Sequence, residues 1–189
     1  MSTDGGTTWA KHAAPGQREW TFPLRDEESL PRWVEPVAWD ARGDLYSLWS
    51  NEEGLWLARS EDRGAKWTSW RVVAGGEPMY FPYLAARGAG ELAATWFSGP
   101  MATLSAHVAR FDVGGDDAPP RVIEAPPFQP DSWRFGDPSH AGPRTRGTAG
   151  EYLPVAFLAS GGLAVVSPIQ NEGAGRFGFS WWRVVASGG

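Results

Sequence analysis

The stretch Ser60 to Trp67, SEDRGAKW, repeats the skeleton of Ser2 to Trp9, STDGGTTW, so the eight-residue pattern Ser-x-Asp-x-Gly-x-x-Trp occurs twice, 58 positions apart (Ser2 to Ser60). A fixed pattern recurring at such a distance marks a repeated supersecondary unit. Each residue type has a task in a tight turn. Ser and Asp side chains bond backbone N–H groups, Gly takes the positive φ that a side chain resists, and Trp packs back onto the sheet that the turn closes. The pattern therefore predicts a hairpin turn, used at least twice.

Short β-rich runs separated by turn residues extend this reading along the chain. Four lie at Glu35 to Trp39, Asp44 to Ser50, Leu55 to Arg59 and Trp67 to Ala74, parted by Asp40 to Gly43, by Asn51 to Gly54 and by the second copy of the turn. Tyr46, Leu48, Leu55 and Leu57 alternate with smaller or polar neighbours, the period of two that a strand requires. Four more runs follow at Tyr83 to Ala86, Glu91 to Phe97, Leu104 to Phe111 and Pro120 to Glu124. The last turn of this second set, FDVGGDD, keeps Asp112 and Gly114 without the Ser and the Trp, and reads as a decayed copy equivalent to the turns at Gly6 and Gly64. A third set comprises the two apolar runs of EYLPVAFLASGGLAVVSPIQ, split at Ser160 to Gly162, and a run from Phe177 to Ala186. A short outer strand is expected after Trp9. Ala14 to Arg32 reads as a polar loop whose cluster Arg25, Asp26, Glu27 and Glu28 is a solvated surface. Pro126 to Gly150 reads as a long connection, a type of segment commonly functional or disordered.

The two copies resemble the Asp-box, or BNR repeat, of sialidase-like β-propellers, on Ser2, Asp4, Gly6, Trp9 and on Ser60, Asp62, Gly64, Trp67. The resemblance implies an all-β fold, a propeller segment of about three four-stranded blades from a six-bladed ring, since closed propellers hold about 4 to 8 blades. The expected division is an outer strand and loop over 1–34, blades over 35–74 and 82–125, and an incomplete blade over 151–189, all in one propeller segment. Such a segment is either a fragment of a larger ring or a half-ring that pairs with a second copy, and its open blade edges predict self-association. In the resembled family the Asp-box is a structural turn shared by enzymes and by proteins without known catalysis, so the fold does not carry the activity with it.

In an up-and-down blade the first and third turns share one face and the remaining connections share the other. The resemblance puts the active site of the sialidases on the face opposite the Asp-boxes, which here is formed by Ala14 to Arg32, Ser50 to Gly54, Gly75 to Phe81, Phe97 to Ala102, Pro126 to Gly150 and Gln170 to Arg176. A sialidase holds a carboxylate with several arginines and uses an acid/base Asp and a Tyr nucleophile activated by a Glu. Candidate catalytic residues of those types are Arg134, Asp137, Arg144, Arg146, Glu151 and Tyr152, with Asp131 and Tyr80 on the same face. The family's Arg-Ile-Pro signature is absent, and no arginine matches the family triad by motif. Glu151 and Tyr152 are adjacent, and adjacent strand residues point to opposite faces. The expectation is a module that binds a glycan or a protein without a complete catalytic set in this chain. The alternative is an exo-sialidase-type glycoside hydrolase, or a fragment of one.

The remaining composition bounds the partners. Twelve Trp against four Tyr, with 24 Gly and 16 Pro in 189 residues, fit repeated hairpins that use one large aromatic throughout. Trp67, Trp70 and Trp182 read as packing residues. The balance of 17 basic and 22 acidic residues, net -5, argues against a nucleic-acid partner. No apolar stretch approaches the ~20 residues of a membrane span. The resemblance suggests a secreted or extracytoplasmic setting, although no signal peptide follows Met1. Zero Cys excludes disulfides and Cys-ligated metals. No cofactor or metal is expected: Asp112, Asp116 and Asp117 form an acidic turn without EF-hand spacing, His12 and His107 lie far apart in sequence, and His140 reads as a solvated histidine.

Overall fold

The structure is a computed structural model that describes residues 2–16, 36–51, 53–77, 79–99, 105–128, 153–171 and 176–184. The described residues are all-β, without a helix. A first antiparallel sheet runs in the order β1 (Val37–Trp39), β2 (Leu45–Asn51), β3 (Gly54–Ser60), β4 (Thr68–Ala74). A second repeats that order with β5 (Met79–Arg87), β6 (Glu91–Ser98), β7 (Ser105–Asp112) and β8 (Arg121–Glu124). The third has three strands, β9 (Val155–Phe157), β10 (Leu163–Asn171) and β11 (Arg176–Val184), in the order β11-β10-β9. The runs read from the sequence fall on these strands, with ends shifted by a few residues. No sheet among the described residues is closed on itself.

The sheets stack face to face, with β5 against β1 and β2, and β9 against β5 and β6. Alternation along the strands of the second sheet divides its side chains between two cores. Leu92, Ala94, Trp96, Ala109 and Phe111 pack with Tyr46, Leu48, Leu55, Leu57 and Trp70 of the first sheet. Ala93, Phe97, Ala106 and Val108 pack with Leu153, Leu163 and Val165 on the other side. A strand buried on both faces loses its polar alternation. That is why seven of the eight residues of β6, Leu92 to Ser98, are buried. The first sheet is closed in similarly, because Ser47 and Ala58, on the face away from the second sheet, are also buried.

All first and third turns lie at one end and interlock there. Asp40, in the β1–β2 turn, has a fully buried carboxylate. It accepts from the backbone N–H groups of Arg42 (2.8 Å), Asp44 (3.0 Å) and Gly90 (2.7 Å), the last from the β5–β6 turn of the next sheet. It also accepts from the Tyr46 hydroxyl and the Arg42 Nε. Gly90 is at φ 79, with its Cα against the Val113 carbonyl, so a side chain there meets both backbone strain and a clash. Across the same seam Arg59 Nη1 donates to the Gly114 carbonyl at 2.6 Å. Between the second and third sheets, Arg87 donates to the Leu158 carbonyl and Arg110 to the Gly161 carbonyl, with both guanidinium groups near the Phe157 ring.

Three sequence expectations need correction. Residues 9–16 form no strand. They pass over side chains of the first sheet, with His12 against Gly64 and Gly16 against the Trp49 ring, where there is no ladder of backbone groups to extend. Trp9 does not pack onto a sheet, and it is 76% exposed. The β7–β8 connection is not a decayed Asp-box. Asp112 belongs to the ladder, paired with Glu91 and Arg121, and Gly114 lies outside the left-handed region that Gly6 and Gly64 share. The connection does keep the length of the box, since 113–120 joins Asp112↔Arg121 as 60–67 joins Arg59↔Thr68.

Candidate functional site

The two Ser-x-Asp-x-Gly-x-x-Trp turns are built by the same four hydrogen bonds. In the first, Ser2 Oγ donates to Asp4 Oδ1 (2.8 Å) and accepts from Gly6 N (2.7 Å), Asp4 Oδ1 accepts from Thr8 N (2.9 Å), and Trp9 Nε1 donates to the Gly6 carbonyl (3.0 Å). In the second, the corresponding distances are 2.9, 2.7, 2.8 and 3.1 Å, for Ser60 to Asp62, Gly64 N to Ser60, Lys66 N to Asp62 and Trp67 Nε1 to the Gly64 carbonyl. Gly6 and Gly64 both stand at φ 91. Hydrogen bonds to the charged form hold both carboxyls below the usual range. Asp4 falls to about 2, chiefly through the Thr8 hydroxyl and N–H, and Asp62 falls chiefly through the Lys66 N–H. Each tryptophan folds onto its own turn. In both copies the Ser hydroxyl, Asp Oδ1 and the Trp N–H are thus engaged in making the turn.

Two further carboxylates at this end, Asp40 and Asp117, are likewise engaged within the fold. Burial raises the Asp40 carboxyl, but the N–H groups of Asp44, Gly90 and Arg42 and the Arg42 charge outweigh it and hold the group ionised. Asp44 moves the other way, raised by burial and then by the Asp40 charge. Tyr46 is pushed up to about 12, first by burial. Asp117 accepts from Thr68 and lies 3.6 Å from Arg59, so its carboxylate joins two sheets. No group of three or more potential metal ligands occurs among the described residues.

At the opposite end, where the resemblance implies a ligand face, the described groups include Ser50, Met79, Tyr80, Phe81, Ser98 and His107. Ser50 Oγ donates to the Met79 carbonyl at 2.9 Å, which ties the first sheet to the start of β5. The β5–β6 ladder shifts register between Tyr80 and Tyr83, and Phe81 stands there at φ 49, directly before Pro82. A non-glycine residue in that conformation is strained by roughly 1–3 kcal/mol. Burial of the Phe81 ring in the second core holds it there. Burial also raises the Tyr80 phenol.

Ser98 and His107 form the one side-chain pair at this end that joins a hydroxyl to an imidazole among the described residues. Trp96 and His107 face each other across β6 and β7, and their rings stack at 5.0 Å between centroids and 8° between planes. His107 Nε2 lies 2.8 Å from Ser98 Oγ. Burial lowers the His107 pKa, with the Glu77 charge opposing in part, and keeps the ring neutral at pH 7. The indole Nε1 of Trp96 is buried without a hydrogen-bond partner among the described residues. A neutral imidazole against a hydroxyl is the basic element of a general base acting on a nucleophile. From the sequence His107 is weighed only as a metal ligand, because only the pairing register of the β6–β7 hairpin brings it beside Ser98.

The residues named from the sequence as catalytic candidates, Arg134, Asp137, Arg144, Arg146, Glu151 and Tyr152, lie outside the described residues, as do Asp131 and His140. Neither a protein-family model nor a curated protein matches the chain.

Proposed function

We propose that the chain is an Asp-box module of the sialidase-like propeller type, a segment of about three blades that presents loops to a glycan ligand. The observation that carries this reading is the identity of the two turns: the same four bonds and the same glycine conformation, from copies that share only the motif residues. The face-to-face stacking of up-and-down sheets also supports it, since blades of a propeller adjoin in that way. With the turns engaged in structure, the opposite loop end is left for recognition, as rigid scaffolds commonly position loops for binding.

Glycan-array screening of the whole chain, followed by titration calorimetry on the strongest ligand, tests the proposal. Saturable binding is the expected outcome. Absence of binding to any glycan removes the ligand class from the reading. Turnover of a fluorogenic sialoside, abolished by Arg144→Ala or Arg146→Ala, replaces the binding module with an exo-sialidase.

A further inference from the structure

The Ser98–His107 pair has a setting that packing alone does not call for. Ser98 is the last residue of β6, and Gly99 follows at φ 97, so the backbone turns away immediately after the hydroxyl. His107 is clamped against the Trp96 indole, and its Nε2 is directed at Ser98 Oγ. The serine is 7% exposed at the rim where the first and second sheets meet. An indole N–H that is buried and without a hydrogen-bond partner among the described residues adjoins the imidazole.

We propose that Ser98 and His107 are a nucleophile and its general base, acting on small carboxylic esters at the loop-end rim between the first two sheets. His107 Nε2 takes the Ser98 proton as Oγ forms a bond to the ester carbonyl carbon. The carbon–alkoxy bond then breaks, and the imidazolium returns the proton to the departing alkoxide, which leaves as an alcohol. A water molecule adds to the acyl-serine with its proton passing to His107, the Oγ–acyl bond breaks, Ser98 regains a proton, and a carboxylic acid is released. Trp96 is a positioning residue that fixes the imidazole plane. The low exposure of Ser98 restricts the acyl group to a short chain.

The experiment uses the whole chain, a fluorophosphonate probe and p-nitrophenyl acetate. The probe is expected to add to Ser98, located by peptide mass spectrometry, and Ser98→Ala removes the adduct. His107→Gln keeps a polar side chain but no base, and lowers both labelling and ester turnover about a hundredfold, the range for loss of a positioned base. Turnover in the parent chain rises with pH as the imidazole loses its proton, and this rise is absent from His107→Gln. Circular dichroism establishes that each variant is folded, and Ser98→Ala changes the volume by one atom. An unlabelled Ser98 in the folded chain overturns the proposal, and so does labelling that is equal in His107→Gln. Neither readout depends on glycan binding, so the two proposals stand or fall separately.

Discussion

Arg63 stands at φ 61 in the second Ser-x-Asp-x-Gly-x-x-Trp turn, where the first turn has Gly5 at φ 69. The left-handed conformation costs an L-residue roughly 1–2 kcal/mol, and the extra chain freedom of glycine in the unfolded state costs about 0.5–1 kcal/mol. The first effect is the larger, and the Arg63 side chain is exposed. Arg63→Gly is therefore expected to raise stability by about 0.5–1 kcal/mol, read as a shift in the urea midpoint at constant slope. At this scale the turn residues were legible in the sequence because each side chain acts within its own eight residues. Asp40 was not: of its partners, Gly90 N lies fifty positions away and is reached only when the two sheets dock. Ser98 and His107 were hidden for a related reason, since their contact depends on which residues face each other across a hairpin.

Three arginines occupy one register in the three sheets. Arg59 pairs with Tyr46, Arg110 with Ala93 and Arg183 with Ala164, each beside the pair made by the leucine that opens or nearly opens its strand: Leu45, Leu92 and Leu163. Arg59 and Arg110 each donate to a turn carbonyl of the following sheet. The element-scale repeat thus lies in the third strand, whereas the conspicuous motif lies in the turn after it. The sequence does show it, as Leu-Ala-Arg at 57–59 and Val-Ala-Arg at 108–110. An arginine among apolar residues carries no turn chemistry and reads simply as the outward position of a strand. Arg59 is 4% exposed while its partner Asp117 is 76% exposed. A solvated carboxylate contributes little, but the buried guanidinium and the Gly114 carbonyl depend on each other. Arg59→Met is expected to cost about 2–3 kcal/mol in urea unfolding and Asp117→Ala less than about 1 kcal/mol.

For the molecule as a whole, the pH dependence of stability has two windows. His107 has a folded pKa below its unfolded value of about 6.5. The unfolded chain therefore binds the proton first, and stability declines as pH falls below about 6.5 and through the folded pKa. Asp40 is also depressed, so its contribution is complete above the unfolded carboxylate value of about 3.9 and is lost as pH falls below that and through its folded pKa. Asp44, being raised, opposes this loss in part, because its protonation relieves a buried charge beside Asp40. Urea midpoints measured from pH 8 to pH 3 are expected to decline in both windows, and His107→Gln removes the upper decline alone. The all-β class and the succession of strands were legible at this scale from turn spacing. The stacking was not, since two-sided burial erases the alternation that would show which face a strand turns to which neighbour.

The middle sheet gives one face to each core and has none left over. Its residues between Leu92 and Phe97 are therefore held by two sets of neighbours at once, and a change of volume at any of them disturbs one seam or the other. The rims carry no such double obligation. Over evolutionary time, novelty in what this chain recognises has room to arise at the ends of its strands, while their central positions are confined to exchanges among small and apolar side chains that preserve both spacings.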